Sequence, residues 1–209
     1  MQRLFLRSEL YGGELLIFTL IGMPAAGKSS LGKAAARDTG FRNVDSDRLI
    51  EKKVGMKLQN IIDTYGLPEF RRIEEEVLLG INTDNILLST GGSAVYYPAA
   101  MKHLSEMGPI IYLRVGLPEL KRRLGDFSKR GIVIPDGYTI DDLFQEREAL
   151  YKKYADFTLD CNGTAFPRYR RNLTEYICRV ANIPLPEKKE VLCPDTVHAV
   201  SRENHTRKQ

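Results

Sequence analysis

The stretch "LIGMPAAGKSS", residues 20–30, decides the fold. It ends the apolar, β-branched run "LLIFTLIG" (15–22), which predicts a strand buried on both faces. Glycines and small residues follow, then a lysine and two serines. The next segment, "KSSLGKAAARDTG" (28–40), begins after one glycine and stops at another, which predicts a helix. A buried strand, a loop of small residues and a helix in this order predict a phosphate-binding loop.

The spacing of Gly22, Gly27, Lys28 and Ser29 fits the pattern G-x-x-x-x-G-K-[ST]. Backbone N–H groups of such a loop point at phosphate oxygens, and the helix N-terminus adds partial positive charge. We expect Lys28 to contact the β- and γ-phosphates of ATP and Ser29 to supply an oxygen to Mg²⁺. The alternative is a glycine-rich turn that happens to hold a lysine, but the flanking elements favour a nucleotide. The expected phosphate contacts are Gly22, Ala25, Ala26, Gly27, Lys28, Ser29 and Ser30.

Short apolar runs and helical patterns alternate along the rest of the chain. Strands are predicted at 41–45, 86–90, 110–115 and 157–160, with amphipathic helical segments between them. Pro68 is expected at the start of the helix 68–81. Buried strands that alternate with helices predict an α/β fold, a parallel sheet with helices on both faces.

Composition limits the class of protein. The 209 residues suit one domain with a full core; 43% are hydrophobic and 28% charged, and no apolar stretch approaches membrane-spanning length. Charges at residues 3, 7 and 9 leave no room for a signal-peptide core, and three widely spaced cysteines favour a reducing compartment. The net charge of +4 is not arranged as a nucleic-acid-binding stripe. We expect a cytoplasmic monomer that binds a small molecule, with no nucleic-acid or membrane partner.

A second group of polar residues follows the second and third predicted strands. Asp45 and Asp47 are one residue apart, so one could hold Mg²⁺ waters while the other accepts a hydroxyl proton. A helix cap is an equally good interpretation. Arg71 and Glu74, three apart on one helix, predict either a surface ion pair or an arginine that Glu74 orients towards a carboxylate.

"STGGSAV" (89–95) is the end of a strand followed by two glycines. Gly91 and Gly92 would let the backbone approach a ligand closely and present N–H groups to it. A tight turn is the alternative.

The order of these motifs resembles the shikimate kinase family. The phosphate loop, D-x-D, "FRRIEE", "TGG", a basic segment and "REALYKKYAD" follow one another over about residues 15–183. The resemblance implies a three-layer P-loop kinase fold with a five-stranded parallel sheet and a lid segment. It also implies phosphorylation of a ring hydroxyl of a cyclohexene carboxylate by MgATP.

Residue roles are likewise implied by the resemblance. Asp45 matches a residue near Mg²⁺, and Asp47 one that binds the acceptor hydroxyls and acts as base. Arg71 and Arg147 match a pair that clamps the substrate carboxylate, while Gly91 and Gly92 match backbone contacts. Arg123 matches an arginine that stacks on adenine, and Arg130 matches the lid arginine that reaches the transferring phosphate. The implied catalytic residues are Lys28, Asp47 and Arg130.

Two positions depart from the family pattern. The third glycine after the third strand is replaced by Ser93, and the lid reads Arg130-Gly131-Ile132 instead of Arg-Pro-Leu. Ser93 adds a hydroxyl beside the expected acceptor pocket, so a related small-metabolite kinase with another acceptor is the second hypothesis. A nucleotide-binding module without turnover is the third.

The expected domain organisation has three parts. Residues 1–13 form an N-terminal extension, residues 14–183 the P-loop domain with a lid at about 124–139, and residues 184–209 a tail. The tail is rich in proline and polar residues without a sustained period, and we expect it to be mobile.

Overall fold

A parallel five-stranded sheet forms the centre of the computed structural model, which describes residues 16–125 and 138–186. The strands are β1 (Ile17–Ile21), β2 (Arg42–Asp45), β3 (Ile86–Ser89), β4 (Ile110–Arg114) and β5 (Phe157–Asp160). The helices are α1 (Lys28–Thr39), α2 (Ser46–Val54), α3 (Leu58–Leu79), α4 (Pro98–Met107), α5 (Leu117–Leu124), α6 (Ile140–Tyr154) and α7 (Phe166–Ala181). A short 3₁₀ helix spans Ala94–Tyr96.

The strand order is β2-β3-β1-β4-β5, and every neighbouring pair is parallel. All five residues of β1 are buried. Because successive residues of a strand face opposite sides of the sheet, helices must cover both faces. The predicted α/β fold with a five-stranded parallel sheet is therefore confirmed. The carboxyl ends of β1, β2 and β3 lie side by side, so the three segments that follow them meet at one edge.

Helix α3 is kinked near its middle. Gly66 has φ 79° and ψ 166°, which are not helical angles, and Pro68 lies two residues later. A positive φ is easily reached only by glycine, and Pro68 suits the first turn of a new helix. The predicted helix start at Pro68 is therefore the second half of α3. The first half, residues 58–65, was not predicted from the sequence.

A small apolar cluster lies apart from the main core. It is formed by Ile50 of α2 and by Ile61, Phe70 and Ile73 of α3, all buried. The main core lies on both sides of the sheet and includes β1, β3 and β4. The cluster holds both halves of α3 against α2, and this unit forms one wall of the cavity described below.

Several predicted segments lie outside the described residues. They are the N-terminal extension 1–13, residues 126–137 of the lid and residues 187–209 of the tail. None of the helices in the described part of the chain combines the length and the apolar character that crossing a membrane requires.

Candidate active site

A cavity of about 760 Å³ opens at the carboxyl edge of the sheet. Its wall comes from the loop after β1, the start of α2, helix α3, the turn after β3, and helix α6. The predicted site residues that line it are Ala25, Gly27, Lys28, Ser29, Ser30, Asp47, Arg71, Gly91, Gly92 and Arg147. One concave surface therefore combines a phosphate loop, a carboxylate and two guanidinium groups.

The phosphate loop curls so that Lys28 lies under it. The side chain is 8% exposed, and its Nζ donates to the carbonyl oxygens of Gly22 and Met23 at 2.7 and 3.0 Å. Burial lowers the pKa of Lys28 to about 8, although the charge of Asp47 opposes the shift. Helix α1 begins directly after the loop without a side-chain cap on its first turn, so its first N–H groups face the loop.

Ser29 and Asp45 form a pair of oxygen ligands beside the loop. The Ser29 hydroxyl donates to Asp45 Oδ2 at 2.6 Å, while Asp45 Oδ1 accepts from the backbone N–H of Asp47 at 3.1 Å. Asp45 thus caps α2 and also reaches the phosphate loop. A hydroxyl and a carboxylate fit Mg²⁺, which takes few protein ligands when phosphates and waters complete its coordination. Residues 16–125 and 138–186 contain no group of three or more His, Cys, Asp or Glu side chains that could hold a metal ion.

Within the described part of the chain, Asp47 is one of three carboxylates that line the cavity, together with Glu51 and Glu74. Burial and the charge of Asp45 raise the pKa of Asp47 to about 6, while Lys28 acts in the opposite direction. A carboxylate with a pKa near the working pH is suited to accept a proton from a hydroxyl.

The turn after β3 separates Asp47 from Arg147. A Cβ added at Gly91 would lie 2.4 Å from Glu74 Oε1 and 3.0 Å from Asp47 Oδ1, and one added at Gly92 would lie 3.1 Å from Arg147 Nη1. The backbone of the turn therefore lies close to side chains of the cavity wall, while its close approach to a ligand stays a prediction. The amide of Gly91, however, donates to the buried Ser46 Oγ at 2.9 Å. The expectation that it presents its N–H group to a ligand is therefore wrong, and for Gly92 it stays a prediction.

We expect Gly91→Ala to damage the acceptor side of the cavity selectively. The added methyl group would push Glu74 and Asp47 away, at a cost of about 1–3 kcal/mol, the usual cost of overpacking. The measurement is the free energy of unfolding together with the KM values for acceptor and ATP. A higher KM for ATP with an unchanged KM for the acceptor would contradict the placement of Gly91 beside the acceptor.

Glu74 is buried, and its carboxylate accepts hydrogen bonds from two hydroxyl groups. Ser93 Oγ donates to both carboxylate oxygens at 2.9 and 2.6 Å, and Tyr97 Oη donates to Oε2 at 2.7 Å. Burial raises the pKa of Glu74, and the charges of Arg147 and Arg71 lower it. Glu74 therefore accepts its hydrogen bonds from Ser93 and Tyr97, while Arg71 acts on it through its charge; that Glu74 orients Arg71 towards a carboxylate stays a prediction. Ser93 lines the cavity as expected, but its proton is donated to Glu74.

Arg147 projects from α6 towards the same cavity. Its side chain is 6% exposed, its Nε donates to Tyr96 Oη at 3.2 Å, and its Cζ lies 5.2 Å from the centroid of the Tyr96 ring. Tyr151, one helical turn further on, donates to Gly92 O at 2.7 Å. The helix that carries Arg147 is therefore tied to the glycine turn.

Four of the predicted residues that the structure describes, Gly22, Ala26, Asp45 and Arg123, do not line the cavity. Arg123 donates to Glu119 at 2.7 Å and to the carbonyls of Cys161 and Gly163 at 2.6 and 2.8 Å, with a longer contact of 3.5 Å to Ala26. It connects the phosphate loop with the segment after β5, and its contact with adenine stays a prediction. Gly22, Ala26 and Asp45 lie in or beside the loop without lining the cavity. Arg130 lies outside the described residues.

The chain is similar in sequence to proteins of one known family. A model of the family "Shikimate kinase" matches residues 24–178. The chain belongs to the shikimate kinase family. The shikimate kinases of Francisella tularensis subsp. novicida and Francisella philomiragia subsp. philomiragia are each 33% identical to it over 162 residues, which cover 76% of this chain and 92% of the relative.

Solved shikimate kinases share the fold. The enzyme from Acinetobacter baumannii in complex with shikimate is 25% identical, with a TM-score of 0.69 over 84% of this chain and 97% of that chain. The enzyme from Aquifex aeolicus is 24% identical, with a TM-score of 0.65 over 79% and 96%, and supports the fold alone.

Membership of the shikimate kinase family makes this chain a phosphotransferase that uses ATP and acts on a hydroxyl group. In this kinase, sequence reasoning missed the tyrosines that support the site. Tyr96, Tyr97 and Tyr151 each hydrogen-bond a residue that lines the cavity. The only signal for the first two was their place just after the glycine turn, and apolar packing explains such a position equally well.

Proposed function

We propose that this kinase transfers the γ-phosphoryl group of ATP to a ring hydroxyl of shikimate, which gives shikimate 3-phosphate in aromatic amino acid biosynthesis. The observation that carries the proposal is that Lys28, Asp47, Arg71 and Arg147 line one cavity. The related enzyme from Acinetobacter baumannii was solved in complex with shikimate, which supports this acceptor.

The phosphate loop would hold the nucleotide. Backbone N–H groups at the start of α1, the hydroxyls of Ser29 and Ser30 and the charge of Lys28 all suit a triphosphate. Ser29 and Asp45 would hold Mg²⁺, which supplies charge neutralisation on the β- and γ-phosphates. Phosphoryl transfer depends mainly on positioning and electrostatic stabilisation, so these groups are sufficient for the donor side.

Other residues that line the same cavity would hold the acceptor. Arg71 and Arg147 would bind its carboxylate, because planar guanidinium groups match a carboxylate with paired hydrogen bonds. The attacking hydroxyl would lose its proton to Asp47 as its oxygen bonds to the γ-phosphorus and the bond to ADP breaks. Gly91 lies against Asp47 and Gly92 against Arg147, so the glycine turn lies between the two side chains. This arrangement suits an acceptor that carries both a hydroxyl and a carboxylate.

A kinase with another acceptor is the second candidate, because Ser93 adds a hydroxyl to the cavity wall. The donation of that proton to Glu74 speaks against it, since Ser93 then offers no donor to a new acceptor. ADP release measured against shikimate and a panel of hydroxylated carboxylates and sugars separates the two. A nucleotide-binding module without turnover would show no acceptor-dependent ADP release at all.

We expect Arg71→Ala and Arg147→Ala each to raise the KM for shikimate by roughly 10- to 100-fold, since each removes charged hydrogen bonds to the carboxylate. The KM for ATP should change little, because phosphate binding would use the loop after β1 and the start of α1. Steady-state ADP release at varied shikimate and varied ATP measures both values.

Arg72 offers a matched control for this pair. It neighbours Arg71 on α3 but forms surface ion pairs with Glu69 and Glu76 and does not line the cavity. Arg72→Ala should leave the KM for shikimate unchanged. If Arg71→Ala and Arg147→Ala both kept the wild-type KM for shikimate, the proposed carboxylate site would be contradicted.

A further inference from the structure

We propose that Tyr96 is a positioning residue that aligns the guanidinium of Arg147 and thereby sets the preference of this kinase for carboxylated acceptors. The inference rests on the proposed function and adds to it a residue outside the expected site. Tyr96 lines the same cavity, directly after the turn that contains Gly91 and Gly92.

Two contacts from one side chain restrain Arg147. The Tyr96 hydroxyl oxygen accepts the Nε proton at 3.2 Å, and the aromatic ring lies under the guanidinium, 5.2 Å from its Cζ. The hydrogen bond restrains rotation of the guanidinium group within its own plane. The contact with the ring restrains the orientation of that plane. Arginine side chains have many rotamers, so both restraints reduce the ordering that anion binding would otherwise require.

The charge balance around Arg147 leaves a place for an anion. The side chain is 6% exposed, yet no salt bridge joins it to a carboxylate within residues 16–125 and 138–186. Glu74 is near enough for Arg147 to lower its pKa, but its oxygens already accept from Ser93 and Tyr97. A buried cation normally has an anionic partner. Tyr96 stabilises this cation without neutralising it, so its charge remains available to an incoming carboxylate.

Tyr96 itself is held firmly. Its backbone N–H donates to Ser93 O at 2.9 Å within the 3₁₀ helix, and the Ser93 and Tyr97 hydroxyls on either side are anchored on Glu74. The bond from Tyr151 to Gly92 ties the preceding turn to α6, which carries Arg147. The tyrosine and the arginine therefore belong to one fixed unit.

The test compares Tyr96→Phe and Tyr96→Leu with the wild type on shikimate and on its carboxamide. Tyr96→Phe keeps the ring and should raise the KM for shikimate about three- to tenfold; Tyr96→Leu loses both contacts and should raise it about 30-fold or more. The kcat and the KM for ATP should change less than threefold. The ratio of kcat/KM between the acid and the amide should fall in the same order, because the amide carries no charge for Arg147 to bind.

Tyr154→Leu is the matched control. Tyr154 lies on the same helix as Arg147, has the Lys153 amine 5.2 Å from its ring centroid, and does not line the cavity. It should leave the acid-to-amide ratio unchanged. Equal losses on acid and amide, or no loss, in folded Tyr96→Leu would overturn the role of Tyr96 and leave the proposed function intact. If the wild type did not phosphorylate shikimate, the proposed function would fall, and this inference with it.

Discussion

Asp47→Asn is expected to lower kcat on shikimate by about 10²- to 10⁴-fold, the usual contribution of a general base. Asparagine keeps the shape of the side chain and can still hydrogen-bond a hydroxyl, but it cannot accept the proton. The KM for ATP should stay within a few-fold of the wild type. Steady-state ADP release at saturating shikimate measures the effect.

The pH dependence provides an independent check on Asp47. Burial and the Asp45 charge raise the pKa of Asp47 to about 6. Because only the ionised carboxylate accepts a proton, kcat/KM for shikimate should increase with pH up to about 6 and then level off. Asp47→Asn should lose this pH-dependent increase in kcat/KM. Asp63→Asn, at an exposed position on α3 outside the cavity, should keep it. If the same increase in kcat/KM with pH persisted in Asp47→Asn, another group would be the base.

Lys28→Met should reduce kcat by roughly 10²- to 10³-fold, the usual loss when one preorganised donor to developing charge is removed. Methionine can fill the space of the lysine stem under the loop but brings no charge to the β- and γ-phosphates. Burial lowers the pKa of Lys28 to about 8, so kcat/KM for ATP should also decline above that pH.

Lys33→Met is the control for this substitution, since Lys33 lies on the same helix but is exposed and away from the cavity. It should behave like the wild type. If Lys28→Met retained full turnover and the same pH profile, the proposed role of the phosphate loop in transfer would be contradicted.

Much of the fold could be predicted because local patterns coincide with it. The run before Gly22 is apolar at every position except Thr19, so it indicates a strand buried on both faces, as β1 is. The predicted strands agree with the structure to within one or two residues at each end. The parallel order then brings the phosphate loop, Asp47 and Gly91 to one edge, where open α/β sheets bind ligands.

The parts that could not be predicted depend on contacts between distant segments. No helix was predicted at residues 58–65, although Leu58, Ile61 and Ile62 stand at helical spacing; Ile61 anchors this segment in the small cluster against α2. The hydrogen-bond donors to Glu74 come from a turn 19 to 23 residues later along the chain, so the spacing between Arg71 and Glu74 could not reveal them. The amide of Gly91 likewise donates to Ser46, 45 residues away, which no local pattern indicates.

The most direct test of the account is phosphorus NMR of wild-type chain with MgATP and shikimate, because it identifies where the γ-phosphate goes. One cavity lined by Lys28 and by both arginines predicts a phosphomonoester of shikimate that accumulates as ATP is lost, one for one. Release of inorganic phosphate alone, or no loss of ATP, would contradict it.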